Sequence, residues 1–414
     1  MLCNGYKNDC RIIISAERDS DMADLGLYIH IPFCEKKCDY CDFLSAPADR
    51  ETKEAYVKAL IAEIHSYKTV AAEYLVRTVF IGGGTPSSID GKYIYDILDA
   101  VKEVFAITGV NTSAGTDGVI SEGKVNAEIT IEVNPGTVSR EKLDYYRMSG
   151  INRLSFGLQS ADDRELKLLG RIHTYEDFVR NYRLAREMGF YNINIDLMSA
   201  LPGQTMSGWM NTLCAAAALK PEHISAYSLI IEEGTPFHLR YREEDQDEEL
   251  DREIYAGTKE YLERYGYKRY EISNYAKPGF ECRHNSSYWR RTEYLGIGLG
   301  SSSLLRNQRY RNEDRLKDYI RLSGDYHNIR RDIKQLAVRE QMEEFMFLGL
   351  RMSSGISKEE FKQQFGSSMD MIYGDAIRRS VREGLLHMNE NQLYLTDKGI
   401  DLSNMVFTRF LLDD

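Results

Sequence analysis

Three cysteines, Cys34, Cys38 and Cys41, stand close together in this chain of 414 residues. Thiolates are soft ligands that suit zinc, copper and iron–sulfur clusters. A closed structural zinc site takes four ligands, and no second cysteine pair accompanies this triplet. Three thiolates can instead hold three irons of a [4Fe–4S] cluster and leave the fourth iron open. The spacing therefore predicts a reactive cluster rather than a structural metal site.

A run of three glycines, "IGGGTPS" at residues 81–87, follows a strand-like segment. Glycines let backbone groups approach a ligand closely. The run is not a P-loop, because no Lys-Ser or Lys-Thr follows it, and it lacks the dinucleotide-binding spacing. Taken alone, a tight turn after a strand explains it equally well.

The elements that must position these motifs alternate between strands and helices from residue 25 to about 235. About six repeats of strand and helix predict an α/β fold with a parallel sheet, either open and doubly wound or a partial barrel. Chemistry in such folds lies at the carboxyl ends of the strands. The cysteines, "GGGTPS", "EVNP", "GLQS" and "DLM" each follow or end a successive strand, so we expect them to meet at one edge.

The remaining segments differ in composition. Three short helical patterns and a hairpin-like "HMNENQLYLT" near the end of the chain predict a small α+β domain of winged-helix type. The stretch at 107–126 is rich in Gly, Ser and Thr and reads as an inserted loop. The predicted organisation begins with an extension at 1–24, which is either disordered or results from a start site assigned too far upstream. A barrel at 25–235, a barrel-completing region at 236–330 and the winged-helix-like domain at 331–414 follow it.

The composition of the chain limits the classes of function that it can have. The net charge of −11 repels phosphate backbones and disfavours nucleic-acid binding. No apolar run reaches the ~20 residues that span a bilayer, and no secretory signal is visible, so membrane contact would be peripheral at most. The seven cysteines are an odd number with one cluster, which favours a cofactor over disulfides in a cytoplasmic protein.

The cysteine triplet after strand one and Gly-Gly-Gly-Thr-Pro after strand two together resemble the radical S-adenosylmethionine (SAM) superfamily. The resemblance implies a partial (β/α)6 TIM-type barrel with a [4Fe–4S] cluster whose open iron binds the methionine end of SAM. It also implies reductive cleavage of SAM to a 5′-deoxyadenosyl radical. An electron donor such as a flavodoxin or ferredoxin would then be needed. The hard chemistry belongs to the cofactors, which the protein orients.

A closer resemblance, covering most of the chain from Tyr28 on, is to the oxygen-independent coproporphyrinogen III oxidase family of porphyrin biosynthesis. "YIHIPFC", "IEVNP", "RLSFGLQS" and "NIDLMSALPGQT" look like that family's blocks. Arg171 would supply a cation for the methionine carboxylate, and Gln159 and Asp196 would meet ribose hydroxyls. Carried over by position, the cofactor-binding residues are Tyr28, Tyr40, Gly83, Gly84, Thr85, Glu132, Gln159, Arg171 and Asp196.

Two features point to one branch of that family. The true oxidases carry a further cysteine two residues after the third, where this chain has Phe43, and a longer segment before Tyr28. In addition, "EISNYA", "CRHNxxYW" and "YLGIG" within 270–303 look like the HemW branch, regarded as haem chaperones. The branch often has Gly-Ala-His after "YLGIG", whereas this chain has three serines at 301–303, so one potential haem-side histidine is missing.

This branch implies haem and an unidentified haem-accepting protein as partners. His284 is the leading haem candidate, Cys282 is a second possible ligand, and Tyr288 and Trp289 would pack on the porphyrin. The alternative is that "HNxxYW" is a structural block. The competing functions are oxidative decarboxylation of coproporphyrinogen III, another tetrapyrrole reaction such as haem ring opening, and, last, a structural zinc protein.

Overall fold

The computed structural model describes residues 22–109 and 126–412. Most of the predicted extension at 1–24 and of the predicted inserted loop at 107–126 lies outside these residues. The last two residues of the predicted extension belong to the first strand, which begins at Ala23.

Sixteen strands occur in the described residues. They are β1 (Ala23–Ile31), β2 (Tyr74–Gly83), β3 (Ala106–Ile107), β4 (Glu128–Val133), β5 (Arg153–Gln159), β6 (Ile193–Ser199), β7 (His223–Ser228), β8 (Lys268–Arg269), β9 (Asn274–Ala276), β10 (Tyr294–Ile297), β11 (Ser302–Leu305), β12 (Gln308–Asn312), β13 (Arg330–Gln335), β14 (Ile356–Ser357), β15 (Leu386–Met388) and β16 (Gln392–Leu395).

Sixteen α-helices accompany them, with single 3₁₀ turns at Pro86–Ser88 and Glu243–Asp245. The helices are α1 (Arg50–Ser66), α2 (Lys68–Ala71), α3 (Gly91–Val104), α4 (Arg140–Met148), α5 (Asp163–Leu168), α6 (Tyr175–Glu187), α7 (Met206–Ala218), α8 (Glu248–Arg264), α9 (Arg283–Trp289), α10 (Leu316–Leu322), α11 (Tyr326–Ile329), α12 (Val338–Gly349), α13 (Lys358–Phe365), α14 (Met369–Arg382), α15 (Asp397–Asp401) and α16 (Ser403–Thr408).

The main sheet has 13 strands in the order β13-β12-β11-β10-β1-β2-β4-β5-β6-β7-β9-β8, with β3 paired to β2. Strands β1, β2 and β4 to β7 are parallel neighbours, joined by helices, and form the predicted partial barrel. Strand β10 adds to β1 in parallel on the other side. The end strands β13 and β8 do not pair with each other within the described residues, so the sheet is open.

The barrel core is continuous because the parallel strands are buried on both faces and the helices cover the outside. Helix α3 shows why such a helix packs: Ile94, Ile97, Leu98 and Val101 recur at helical spacing and are all buried. Each such side chain contributes roughly 1.5–3 kcal/mol on burial. The outer helices therefore hold the strands, and with them the strand ends that carry the predicted site.

The carboxy-terminal region follows the winged-helix order, helix α12, strand β14, helices α13 and α14, then the hairpin β15–β16. Its three strands form a separate antiparallel sheet, β14-β16-β15, with its own apolar core. The predicted boundary at residue 331 falls inside β13, which pairs with β12 in the main sheet. The fold prediction, a partial barrel followed by a winged-helix-like element, is thus confirmed.

Helix α9, which carries "HNSSYW", lies against the inner face of the barrel, beside the early residues of β2 and β4. The carboxylate of Glu128 at the start of β4 accepts hydrogen bonds from the backbone N–H groups of Arg283 and His284, both at 3.1 Å. These bonds satisfy donors that a helix leaves unpaired at its first turn. The helix is therefore held inside the barrel, near the ends of the strands opposite to the cysteines.

Candidate functional site

A cavity of about 360 Å³ opens at the carboxyl ends of the barrel strands. This volume is in the range of small-molecule sites. The residues predicted from the sequence that line it are Cys34, Cys38, Cys41, Tyr40, Gly83, Gly84, Thr85, Glu132, Gln159, Arg171 and Asp196. Contributions from the ends of four strands, from the cysteine loop and from the segment that carries Arg171 therefore meet in one place, as expected for a parallel sheet.

Tyr28 is the predicted cofactor residue that does not line the cavity. Its ring lies inside the barrel beside Phe80, and its hydroxyl is 3.0 Å from Nδ1 of His30. His30 in turn reaches the backbone oxygen of Leu44 through Nε2, at 2.9 Å. Tyr28 thus supports the cysteine loop through His30 in this structure.

The cysteine loop is anchored at both ends by backbone hydrogen bonds. The N–H of Cys34 donates to the carbonyl of Ala46, and the N–H of Ala46 donates to the carbonyl of Pro32. The N–H of Thr85 donates to the carbonyl of Phe33 at 2.7 Å, which ties the loop to the end of β2. The three thiols consequently face the cavity on a fixed loop rather than a free one.

The glycine run explains how β2 passes so close to that loop. A Cβ on Gly83, whose φ is +118°, would lie 2.5 Å from the His30 ring. A Cβ on Gly84 would lie 2.7 Å from the carbonyl oxygen of Phe33 and 3.0 Å from Sγ of Cys34. Side chains at these two positions would therefore collide with His30 of β1 and with the cysteine loop, so the glycines are needed to form the site.

Two side chains direct hydrogen-bond donors at cysteine sulfurs. Thr85 Oγ1 lies 3.6 Å from Sγ of Cys34, and a terminal guanidinium nitrogen of Arg171 lies 3.6 Å from Sγ of Cys38. No three His, Cys, Asp or Glu side chains in the described residues converge on a single-ion position. Thiolates that each bind a different iron need not converge on one point, so the donor set and its hydrogen bonds fit a cluster.

Two partly buried carboxylates, Glu132 and Asp196, lie on neighbouring walls of the cavity. Burial, with the charge of Asp196 as a second cause, raises the pKa of Glu132 to about 8, although the N–H of Gly83 donates to its carboxylate. Burial also raises the pKa of Asp196, against hydrogen bonds from Ser155 and Asn194. A cationic ligand between these groups would favour their charged forms.

Gln159 ends β5 in an uncommon conformation. Its φ is +70°, in the left-handed region that few non-glycine residues adopt. Its Oε1 accepts a hydrogen bond from the hydroxyl of Tyr227 at 2.9 Å. The local backbone thus turns the amide of Gln159 toward the cavity, and Tyr227 fixes its direction.

The structure adds site residues that sequence reasoning missed. Asn134, Ser155, Met198 and Tyr227 also line the cavity. The sequence does contain a signal for Asn134, because this polar residue directly follows β4 in the segment "IEVNP". The other three lie on strands, and only the pleat decides which side chains of a buried strand face inward.

The predicted haem contacts lie elsewhere, inside the barrel on and beside α9. His284 is 1% exposed, and its two ring nitrogens lie 2.8 Å from the hydroxyls of Thr78 and Tyr288. Burial lowers the pKa of His284 to about 3 and raises that of the Cys282 thiol to about 12. Neither residue offers a free face to a porphyrin in this structure, and iron could reach His284 only by displacing one of those hydroxyls.

The remaining haem candidate, Trp289, is half-buried. The guanidinium carbon of Arg351 lies 4.2 Å above the ring centroid, in a cation–π contact. One face of the ring is therefore covered by Arg351 of the winged-helix-like domain and is closed to a porphyrin in this structure. The alternative interpretation, in which "HNxxYW" joins parts of the fold, agrees better with these contacts.

A second cavity, of about 1080 Å³, lies at the opposite end of the barrel. It is lined by the early residues of β1 and β2, by α9 and by residues 352–354. None of the residues predicted to bind the cluster or SAM lines it. The amino-terminal face of such barrels usually serves stability, and the carboxyl-end cavity remains the candidate site.

Comparison with known proteins gives two family matches. The family model of the radical SAM superfamily matches residues 28–213, and that of the HemN C-terminal domain matches residues 336–402. The first match contains the cysteine loop and all predicted SAM residues. The second coincides with the winged-helix-like domain.

Curated relatives match along almost the whole chain. The protein named heme chaperone HemW from Bacillus subtilis (strain 168) is 36% identical over 387 residues, covering 93% of this chain and 98% of that protein. The protein of the same name from Escherichia coli (strain K12) is 33% identical over 398 residues, covering 94% and 98%. A solved structure, that of coproporphyrinogen III oxidase (HemN) from Escherichia coli, superposes with a TM-score of 0.80 at 24% identity, over 96% of this chain and 93% of that chain, and shows the same fold.

Proposed function

Because the chain belongs to the radical SAM superfamily and, within it, to the HemW family, we propose that it is a haem chaperone that binds a [4Fe–4S] cluster, SAM and haem, and delivers haem to an acceptor protein. The observation that carries the cofactor part is the single cavity lined by three cysteines and eight predicted SAM residues. The haem part is supported by the names of the relatives.

Cys34, Cys38 and Cys41 would hold the cluster, and the open side of the cavity would receive the methionine end of SAM. Arg171 is partly buried and cationic, and it can pair with the methionine carboxylate. The backbone of Gly83 and Gly84 runs along the wall beside the cysteines, where no side chain blocks a ligand.

The two acidic residues of the cavity would contact the positively charged groups of SAM. Glu132 and Asp196 face the cavity from β4 and β6, and their charged forms would be stabilised by the sulfonium or the amino group of SAM. Gln159, held by Tyr227, can bond a ribose hydroxyl. In this family the bound cluster and SAM supply one-electron chemistry, for which a flavodoxin or ferredoxin would be the electron donor.

Phe43 separates the chaperone proposal from the oxidase alternative. Its side chain is 68% exposed and lines the cavity at the place where the oxidases have a further cysteine. A phenyl ring has no thiol and cannot replace that cysteine in whatever part it plays in the oxidases. We therefore expect no oxidative decarboxylation of coproporphyrinogen III by this chain.

The experiment has two arms on anaerobically reconstituted protein. In the first, haem is titrated and the Soret band is followed, and saturable binding followed by transfer to an apo-haem protein supports the proposal. In the second, coproporphyrinogen III, SAM and a reductant are added. Formation of protoporphyrinogen, or the absence of saturable haem binding, would overturn the proposed function.

The proposed setting of this activity is the cytoplasm. The five cysteines in the described residues are all free thiols, as a reducing compartment would keep them. No helix in the described ranges has the length and apolar character to span a membrane. This protein would reach its haem acceptor by protein–protein contact, and it would associate with a membrane at most peripherally.

A further inference from the structure

We propose that Asn134 is a positioning residue that aims two hydrogen-bond donors at the sulfurs of Cys34 and Cys38 and thereby raises the reduction potential of the cluster. The inference rests on the proposed function, because its premise is a [4Fe–4S] cluster held by the three cysteines. Asn134 is not one of the cofactor-binding residues that the family resemblance implies.

The backbone of Asn134 is fixed on both sides. Its N–H donates to Oγ of Ser87 at 3.0 Å. Its carbonyl accepts from the N–H of Thr137 at 3.1 Å and from the hydroxyl of Thr137 at 2.7 Å. The hydroxyls of Ser87 and Thr137 also bond each other at 2.6 Å. The residue is therefore locked at the end of β4, with its side chain in the wall of the cavity.

The side-chain amide joins the two residues that approach the sulfurs. Oδ1 of Asn134 accepts from Arg171 at 2.8 Å, and Nδ2 donates to Oγ1 of Thr85 at 3.0 Å. Thr85 Oγ1 and the other terminal nitrogen of Arg171 each lie 3.6 Å from a cysteine sulfur, that of Cys34 and that of Cys38 respectively. One amide thus connects both donors.

The direction of these bonds follows from chemistry. A guanidinium group can only donate, so the oxygen of the Asn134 amide must face Arg171 and its nitrogen must face Thr85. Because the Thr85 oxygen then accepts a hydrogen bond, its own proton is free to point at the sulfur of Cys34. A carboxylate at residue 134 could not donate to Thr85, and an aliphatic side chain could neither donate nor accept.

Gly157 on the adjacent strand β5 leaves room for this arrangement. A Cβ at residue 157 would lie 3.1 Å from Oδ1 of Asn134 and 3.2 Å from the guanidinium of Arg171. The carbonyl of Gly157 also accepts a hydrogen bond from Arg171. The space between β4 and β5 is thus occupied by the amide–guanidinium contact itself.

Hydrogen bonds to the sulfurs of a cluster are among the features that set its reduction potential. A reduced cluster carries one more negative charge than an oxidised one, so donors aimed at its thiolates stabilise the reduced form more. Thr85 and Cys34 are both buried, so water screens their contact little and this preference is strengthened there. Loss of the amide would let Thr85 and Arg171 turn away from the sulfurs and would lower the potential.

The test measures the midpoint potential of the reconstituted cluster by anaerobic titration followed by EPR. The variants are Asn134→Ala, Thr85→Val and the double variant, and Asn211→Ala, an exposed amide on α7, is the matched control. We expect Asn134→Ala to reduce the ratio of reduced to oxidised cluster about tenfold at the wild-type midpoint, which is a shift of about −59 mV for a one-electron couple. The double variant should shift by less than the sum of the single variants, because Asn134 acts partly through Thr85.

An unchanged midpoint potential in cluster-loaded Asn134→Ala, or fully additive shifts, would overturn the inference. If Asn134→Ala does not retain its cluster, Asn134→Gln is measured instead, since it keeps the amide but displaces it by one methylene, and an unchanged potential there overturns the inference equally. Loss of the cluster from both, with Thr85→Val at the wild-type potential, also overturns it. Failure of the wild-type chain to take up a cluster would instead refute the proposed function.

Discussion

The Nδ1 atom of His284 lies 2.8 Å from the hydroxyl oxygen of Thr78, so the imidazole of α9 is bonded directly to strand β2 of the barrel. The other nitrogen, Nε2, is 2.8 Å from the hydroxyl of Tyr288 one turn later in the same helix. The ring also stacks on Phe80, with centroids 5.2 Å apart. These contacts make His284 a residue that holds α9 inside the barrel.

The first prediction concerns this contact. We expect His284→Ala to lower the free energy of unfolding by roughly 2–4 kcal/mol, because a buried ring is lost and two hydroxyls lose a partner. Tyr288→Phe should cost less, on the order of 1 kcal/mol. Chemical denaturation of the apo-protein measures both values.

Haem titration of the same two variants then tests the ligand assignment. We expect neither variant to bind haem more tightly than the wild type. A stronger Soret change in Tyr288→Phe, together with its loss in His284→Ala, would contradict this expectation. It would show that His284 is an iron ligand whose Nε2 competes with Tyr288.

The second prediction concerns the cluster ligands. Cys38→Ser should abolish the broad absorbance near ~400 nm that is typical of iron–sulfur clusters, because a serine hydroxyl is a poor ligand for iron. Cys214→Ser, at an exposed position on α7, is the matched control and should retain the band. Persistence of the band in Cys38→Ser would show that the ligand assignment is wrong.

The third prediction concerns the glycine run. Gly84→Ala should prevent cluster uptake, since its Cβ would lie 2.7 Å from the backbone oxygen of Phe33 and 3.0 Å from Sγ of Cys34. The strain of such overpacking is typically 1–3 kcal/mol, which a domain of this size can survive while the cysteine loop shifts. Gly324→Ala places a Cβ in open space and serves as the control. Equal iron content in the two variants would contradict the close approach.

The fourth prediction concerns pH. A glutamate carboxyl in water has an ordinary pKa of 4.5, and burial in the folded protein raises the pKa of Glu132 to about 8. The folded state therefore holds more protons than the unfolded state between these pH values, and stability falls as pH rises through that window. Glu132→Gln removes the effect.

Between pH 5 and pH 8 the wild-type apo-protein should thus lose on the order of 3 kcal/mol more stability than Glu132→Gln. Denaturant unfolding of both proteins at the two pH values measures the difference. A parallel pH dependence in the two proteins would show that Glu132 does not carry this raised pKa.

Local signals account for what the sequence predicted well. Apolar runs bounded by turn residues marked β1, β2 and β4 to β7, and the carboxyl ends of parallel strands meet by geometry. The cysteines, Gly83, Gly84 and Thr85 could therefore be placed together without knowing any distance. The winged-helix-like order was visible in the same way, from helix periods followed by a hairpin.

Long-range pairing and side-chain direction were not accessible from the sequence. Nothing local indicates that Tyr294–Ile297 lies beside β1, because that pairing joins distant segments. The pattern of "HNSSYW" names chemically active residues, but their burial depends on Thr78 and Glu128 far away in the chain. The role of Asn134 depends on the amide direction, which only its three-dimensional neighbours define.

The position of β1 between β2 and β10 has a consequence for synthesis on the ribosome. Gly26 pairs in register with Tyr294, so the strand that leads into the cysteine loop receives its second neighbour only after most of the chain has been made. Contacts between residues so far apart in sequence form slowly. The chain loses the entropy of closing a long loop before these contacts can stabilise the fold. During translation, that flank of β1 is an unpaired edge, a type of edge at which chains tend to associate wrongly. Docking of β10 is therefore a late step of folding. It completes the pairing of β1, the strand that leads into the cysteine loop and on which cluster assembly depends.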